Sequence, residues 1–193
     1  FDIQEVCAEL PVDQKGSLTV LESDTGSGKT EAALARFVQL HAAGEVDGMY
    51  IALPTRAAAK QLHGRVVEAV ERAFSGEAKP PPVALAIPGY LQLDDMEGHR
   101  APEEDGELPS FEVQWPDDTD GKMRQRGWAV EHPKRFLASP IAVGTIDQVL
   151  LSVLQTNHAH MRAAALLRQL LVVDEVHASD PYMSSLLEEV LDH

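Results

Sequence analysis

Ser17-Leu18-Thr19-Val20-Leu21-Glu22-Ser23-Asp24-Thr25-Gly26-Ser27-Gly28-Lys29-Thr30 is the stretch on which the fold turns. Its first five residues pattern as a β-branched strand. A glycine-rich turn follows, then a helix over Thr30 to Ala43 that Gly44 ends. Gly26 and Gly28 allow a sharp turn that brings backbone N–H groups close to an anion, and the helix points its positive end at the same place. Thr25, Gly26, Ser27, Gly28, Lys29 and Thr30 therefore read as a phosphate loop. Lys29 would reach the outer phosphates, and the Thr30 hydroxyl would serve a magnesium ion. The full pattern has a glycine where this chain has Ser23. A glycine-rich helix cap is the competing account of the same residues.

Leu170-Leu171-Val172-Val173-Asp174-Glu175-Val176-His177 is the second signal. Four apolar residues running into two acids place both carboxylates at the carboxyl end of a buried strand, the edge where open parallel sheets bind ligands. Magnesium on a nucleotide keeps several waters and needs a carboxylate near them, which assigns Asp174. Phosphoryl transfer to water needs a group that orients that water, which assigns Glu175.

Between these two motifs, strands and helices alternate. Met49–Leu53, Val83–Ile87 and Ile141–Val143 read as strands. Ala58–Phe74 reads as a helix, with Leu62, Val66, Ala69, Val70 and Ala73 inward. A further helix starts at Ile146. A last one starts at Pro181, with Asp180 as its N-cap and Met183, Leu186, Leu187 and Val190 inward. The alternation predicts an α/β, three-layer domain with a mainly parallel central sheet. In the Thr30–Ala43 helix the expected apolar side is Leu34, Phe37, Val38 and His41. Thr145 and Gln148 have capping-box spacing.

The 193 residues carry a net charge of −15 and are 44% hydrophobic, a globular composition. From Asp94 to Asp120 there are eleven acids against one base, Arg100. A structureless loop of that length is unusual inside a compact domain, so this acidic segment, at about 90–122, reads as an insertion, partly mobile. The charge argues against a broad nucleic-acid face but leaves room for a narrow strand track. Lys122, Arg124, Arg126, Trp128, Lys134, Arg135 and Phe136 form a basic stretch. It reads first as pairing with the neighbouring acids and alternatively as a nucleic-acid contact. No apolar run approaches the roughly 20 residues of a membrane helix, and the start of the chain has no secretory pattern. The lone Cys7 fits a reducing compartment.

Gly-Ser-Gly-Lys-Thr at 26–30 and Asp-Glu-Val-His at 174–177 resemble the first RecA-like domain of superfamily 2 helicases. Residues 28–34, 143–148 and 172–183 more specifically resemble the CRISPR-associated helicase-nuclease of type I systems. Two segments extend the likeness over most of the chain: Trp128 with Glu131 to Arg135, and Asn157 to Arg162. The resemblance implies one RecA-like P-loop NTPase domain over 1–193, working with ATP and magnesium as the motor of a single-stranded DNA translocase in a prokaryotic cytoplasm. It implies as partners a CRISPR RNA-guided surveillance complex, and a second RecA-like domain and a nuclease domain of the same protein, with no membrane. Position by position, Gln4 corresponds to an adenine-reading glutamine, although a surface helix glutamine would look the same. Pro54, Thr55, Arg56, Gly144 and Thr145 correspond to strand contacts. His177 corresponds to a residue coupling nucleotide state to strand binding. Ser23-Asp24 departs from the family's usual pair and sets an acid beside the triphosphate site. No His-Asp pair occurs, so no nuclease activity is expected of these residues. Without the arginines that the second domain supplies, they should hydrolyse ATP very slowly. Another superfamily 2 DNA or RNA helicase, or a scaffold that binds nucleotide without hydrolysing it, remains as an alternative.

Overall fold

The fold is seen in a computed structural model that describes residues 3–13, 16–24, 26–73, 80–100, 113–115, 127–176 and 181–192. Helix α1 spans Ile3–Glu9 and α2 Lys29–Ala42. Strand β1 (Gly48–Leu53) leads into α3 (Arg56–Ala73) and β2 (Val83–Ala86). Four two-residue strands follow: β3 (Gln92–Leu93), β4 (Met96–Glu97), β5 (His99–Arg100) and β6 (Val113–Gln114). A 3-10 turn over Pro133–Ala138 precedes β7 (Ile141–Thr145). Then come α4 (Asp147–Leu150), α5 (Ala159–Leu166), β8 (Gln169–Val173) and α6 (Pro181–Asp192).

The six-stranded sheet runs β4-β3-β2-β7-β1-β8, and the four longer strands are parallel. β1 is buried at every residue, as its unbroken apolar run requires of a strand covered on both faces. Its residues alternate between two cores. Met49, Ile51 and Leu53 pack with Phe37, Leu62, Val66 and Val70 of α2 and α3. Tyr50 and Ala52 pack with Phe136, Leu137, Ile146, Val149 and Leu186 on the other face. The three layers follow from that alternation. β8 is the edge strand on the side away from β4, and all five of its residues are only half-buried.

Three expectations are corrected. Ser17–Leu21 is not a strand: it runs beside no ladder, with Leu18 74% and Val20 76% exposed. β-branched residues favour a strand only where a neighbour supplies hydrogen bonds and packing. The inward side of α2 is Ala32, Arg36, Phe37 and Leu40, while Val38 is exposed. Arg36 turns inward because its guanidinium donates to the Leu10 and Pro11 carbonyls, tying α2 to the end of α1. The helix after Ile146 closes after one turn, and its first residues carry no side-chain cap, so the Thr145–Gln148 box does not form. Within the segment read as an insertion, β3 and β4 make a hairpin that extends the sheet antiparallel to β2. Residues 101–112 and 116–126, including Lys122, Arg124 and Arg126, lie outside the described residues, as do Thr25, His177 and Asp180.

Candidate functional site

Residues 26–30, read from the sequence as a phosphate loop, are built as a left-handed turn running into a helix. Gly26 has φ 81° and Gly28 φ 91°, values that a side chain would oppose. Gly28 is the N-cap of α2 and no side chain caps the helix, so its first-turn N–H groups stay available to an acceptor. Ser23 and Ser27 bond hydroxyl to hydroxyl, and the Ser27 N–H donates to the Asp24 carbonyl at 3.2 Å. Lys29 folds back over the loop. Its ammonium donates to the Ser23 carbonyl at 2.8 Å and the Asp24 carbonyl at 3.0 Å. Thr30 sits half-buried in the first turn of α2. Gln4 of α1 arrives at the same place: its amide fills the space that a side chain on residue 28 would need. This donor set of uncapped N–H groups, an ammonium and a hydroxyl suits a polyphosphate.

The loops that leave β1, β7 and β8 emerge at one edge of the sheet, because the three strands are parallel and adjacent. At the end of β8 the Asp174 N–H donates to the Ala52 carbonyl at 3.0 Å, which carries the pairing one residue past the strand. An Asp174 carboxylate oxygen accepts the Glu175 N–H at 2.9 Å. Glu175 itself has φ 57°, left-handed for a residue with a long side chain. Such strain concentrates where side-chain direction matters. No hydrogen bond or ion pair joins Lys29 to Asp174 among the described residues. Lys29 is thus held by carbonyls of its own loop, and Asp174 by the N–H of its own neighbour.

At the end of β1, Pro54 is half-buried and Thr55 and Arg56 are exposed. The Thr55 hydroxyl accepts the Ala58 N–H at 3.2 Å and so caps α3. Arg56 follows in the first turn, where no acid accompanies it. At the end of β7, Gly144 and Thr145 are buried. The fully buried Tyr50 hydroxyl donates to the Thr145 carbonyl at 3.0 Å. Gly144 is a glycine for packing reasons as well, since an added Cβ would stand 2.5 Å from the Ala86 carbonyl oxygen. In the basic stretch, Arg135 lies over the Trp128 ring at 4.7 Å and within 3.9 Å of the Glu131 carboxylate, while Phe136 is core. Sequence reading missed Lys60 and Tyr90, whose side chains meet at this edge. The available signal was the spacing of Arg56 and Lys60, which puts two cations on one helix face.

A family model described as an AAA domain matches residues 12–193. The chain is 37% identical over 191 residues to the CRISPR-associated endonuclease/helicase Cas3 of Escherichia coli (strain K12), covering 98% of this chain and 20% of that protein. It is 36% identical over 178 residues to the protein of the same description from Thermus thermophilus, covering 90% and 18%. A crystal structure of T. fusca Cas3 with ATP superposes with a TM-score of 0.59 at 32% identity, over 88% of this chain and 17% of that one. The chain thus spans about a fifth of the length of the curated relatives it matches. No described helix is long and apolar enough to cross a membrane. With all but its first residues matched by one family model, and with homology to Cas3 running nearly end to end, the chain belongs to the AAA domain family.

Proposed function

We infer that this chain is the ATP-hydrolysing motor domain of a single-stranded DNA translocase or helicase acting in type I CRISPR interference. The observation that carries the reading is the 37% identity to a curated helicase over 191 residues, a span that includes both the phosphate loop and the acidic pair. In this reading Gly26, Ser27, Gly28 and Lys29, with Thr25, hold the phosphates of ATP. Gln4, already against Gly28, meets the adenine side of the nucleotide. Thr30 and Asp174 hold magnesium, which when bound would neutralise charge on the outer phosphates. Glu175 orients the attacking water, and its left-handed backbone sets the direction of that carboxylate. Asp174 fixes the same backbone by accepting the Glu175 N–H.

The strand passes along the carboxyl ends of β1 and β7, past Pro54, Thr55 and Arg56 and then Gly144 and Thr145. Arg56 offers an exposed guanidinium to a phosphate. The buried Gly144 and Thr145 hold the end of β7 in place beside it. His177 links the nucleotide site to that track. The partners are single-stranded DNA, an RNA-guided surveillance complex, and a second RecA-like domain and a nuclease domain of the same protein. Its setting is a prokaryotic cytoplasm.

Glu175→Gln in the full-length protein tests the reading. A motor keeps ATP affinity and loses steady-state hydrolysis by a hundredfold or more. A nucleotide-binding scaffold has no hydrolysis to lose, and unchanged turnover in the variant would overturn the assignment. Unwinding of DNA but not RNA separates this reading from an RNA helicase.

A further inference from the structure

The edge that carries Arg56 and Thr145 continues into β2, which pairs in parallel with β7. The loop leaving β2 holds Pro88, Gly89 and Tyr90. The Lys60 ammonium lies over the Tyr90 ring, 4.4 Å from its centroid. Lys60 is exposed and stands four residues after Arg56 on α3, so the two cations share one face of that helix. Neither has a carboxylate partner among the described residues, in a chain with a net charge of −15. Beside the ring an open cavity of about 270 Å³ separates Tyr90 from Pro133 and Phe136, with Glu97 and Glu131 on its walls.

We propose that Lys60 and Tyr90 form a further single-stranded DNA subsite, one strand beyond Thr145 and two beyond Arg56 along the same edge. An unpaired cation against an aromatic face is the combination that single-strand tracks use, with phosphate on the cation and a base on the ring. The cavity walls set the orientation. Their two carboxylates repel phosphate, so the backbone passes on the Lys60 side and the base leans from Tyr90 toward the cavity. The ammonium leaves the ring for the phosphate as the strand arrives, which uncovers the stacking face. This subsite rests on the strand-translocase reading above.

The test measures equilibrium binding of the full-length protein to a mixed-sequence single-stranded DNA oligonucleotide across a salt series. Lys60→Gln should weaken binding and make the log–log salt dependence shallower by about 0.7. Tyr90→Leu keeps an apolar group against the core but removes the stacking face, and should lose about 5- to 150-fold in affinity, whereas Tyr90→Phe should bind as the parent does. Melting temperatures of all three variants show whether a loss is a folding effect, and Lys60→Gln, on the surface, does not depend on that question. Arg56→Gln reports on the underlying track. If Arg56→Gln weakens binding while Lys60→Gln or Tyr90→Leu keeps parental affinity and slope, the subsite is overturned and the track stands. If none of the variants weakens binding, the track falls with it.

Discussion

Gly144→Ala should unfold the sheet locally before it affects any ligand. The added methyl would stand 2.5 Å from the Ala86 carbonyl oxygen, 2.8 Å from the Ala86 Cβ, and against the Tyr50 hydroxyl. Ala86 is the register partner of Gly144. It cannot retreat without opening the β2–β7 ladder. Tyr50 is fully buried and committed to the Thr145 carbonyl, so it has little room to move. Overpacking a core costs about 1–3 kcal/mol, and unyielding backbone on one side puts this site at the upper end, about 3 kcal/mol. At roughly 2–4 °C per kcal/mol for a domain of this size, melting should fall by about 6–12 °C. Amide exchange reads the same cost directly: protection across Ile141–Thr145 should fall by about 150-fold, a tenfold change for each 1.4 kcal/mol. Tyr50→Phe supplies the second leg of a cycle. Alone, it strands the Thr145 carbonyl and costs about 1–3 kcal/mol. In the Gly144→Ala background it should cost less, because it also removes one of the colliding atoms. Parental melting and parental exchange in Gly144→Ala, combined with weaker DNA binding, would refute the packing account. The glycine would then be there for the strand.

Three further outcomes follow from single residues. Glu175→Gly should stop hydrolysis yet leave stability equal or up to about 1 kcal/mol higher in thermal unfolding. It relieves a left-handed backbone costing about 1–2 kcal/mol against the extra entropy glycine loses on folding; a clear loss of stability would show that no strain is held there. Asp24→Asn should tighten ATP binding about two- to fivefold in calorimetric titration, since it removes a like charge worth about 0.5–1 kcal/mol at the water-exposed mouth of the loop; unchanged affinity would mean the carboxylate faces away. His63 is buried and donates to the Val83 carbonyl at 3.1 Å. Burial holds its imidazole below the ordinary range, and the pull of that bond and of Asp94 and Asp95 the other way does not reverse the shift. The unfolded chain therefore takes the proton first. Stability should fall as pH drops through about 6.5 toward the lower native value, and denaturant midpoints of His63→Gln should lack that part of the slope.

The legible parts of the fold are those whose signals are local. Residues 49–53 and 170–173 are apolar on both faces because they run through the middle layer, and both are strands. The α3 stripe follows from helical spacing, and its Leu62, Val66 and Val70 are core. The misreadings have partners distant in sequence. Arg36 is polar and would be placed on the outside of α2, but two carbonyls at the end of α1 draw it in. Thr145 and Gln148 have the spacing of a cap, but Thr145 is the last residue of β7, in register with Leu53 of β1, and the helix takes Ile146 as its N-cap. Ser17–Leu21 has strand chemistry and no ladder. At the site, the left-handed glycines 26 and 28 were legible as a turn, while the packing duty of Gly144 and the capping duty of Thr55 were not.

That unpaired segment changes what positions the phosphate loop. A loop between a paired strand and a helix inherits its place from the sheet. Here the inheritance comes from the helical side: Arg36 ties α2 to the end of α1, Gln39 donates to the same Leu10 carbonyl at 3.0 Å, and Gln4 presses on Gly28. The acidic pair, by contrast, is registered to β1 through Asp174 and Ala52. The two halves of the proposed ATP site therefore hang on different supports. A nucleotide that touches Lys29 and Asp174 at once would bridge them and should stiffen both. Amide exchange would show this as new protection in the first turn of α2 and at Asp174 together on adding ATP and magnesium. Protection confined to α2 would place the acidic pair outside the nucleotide site.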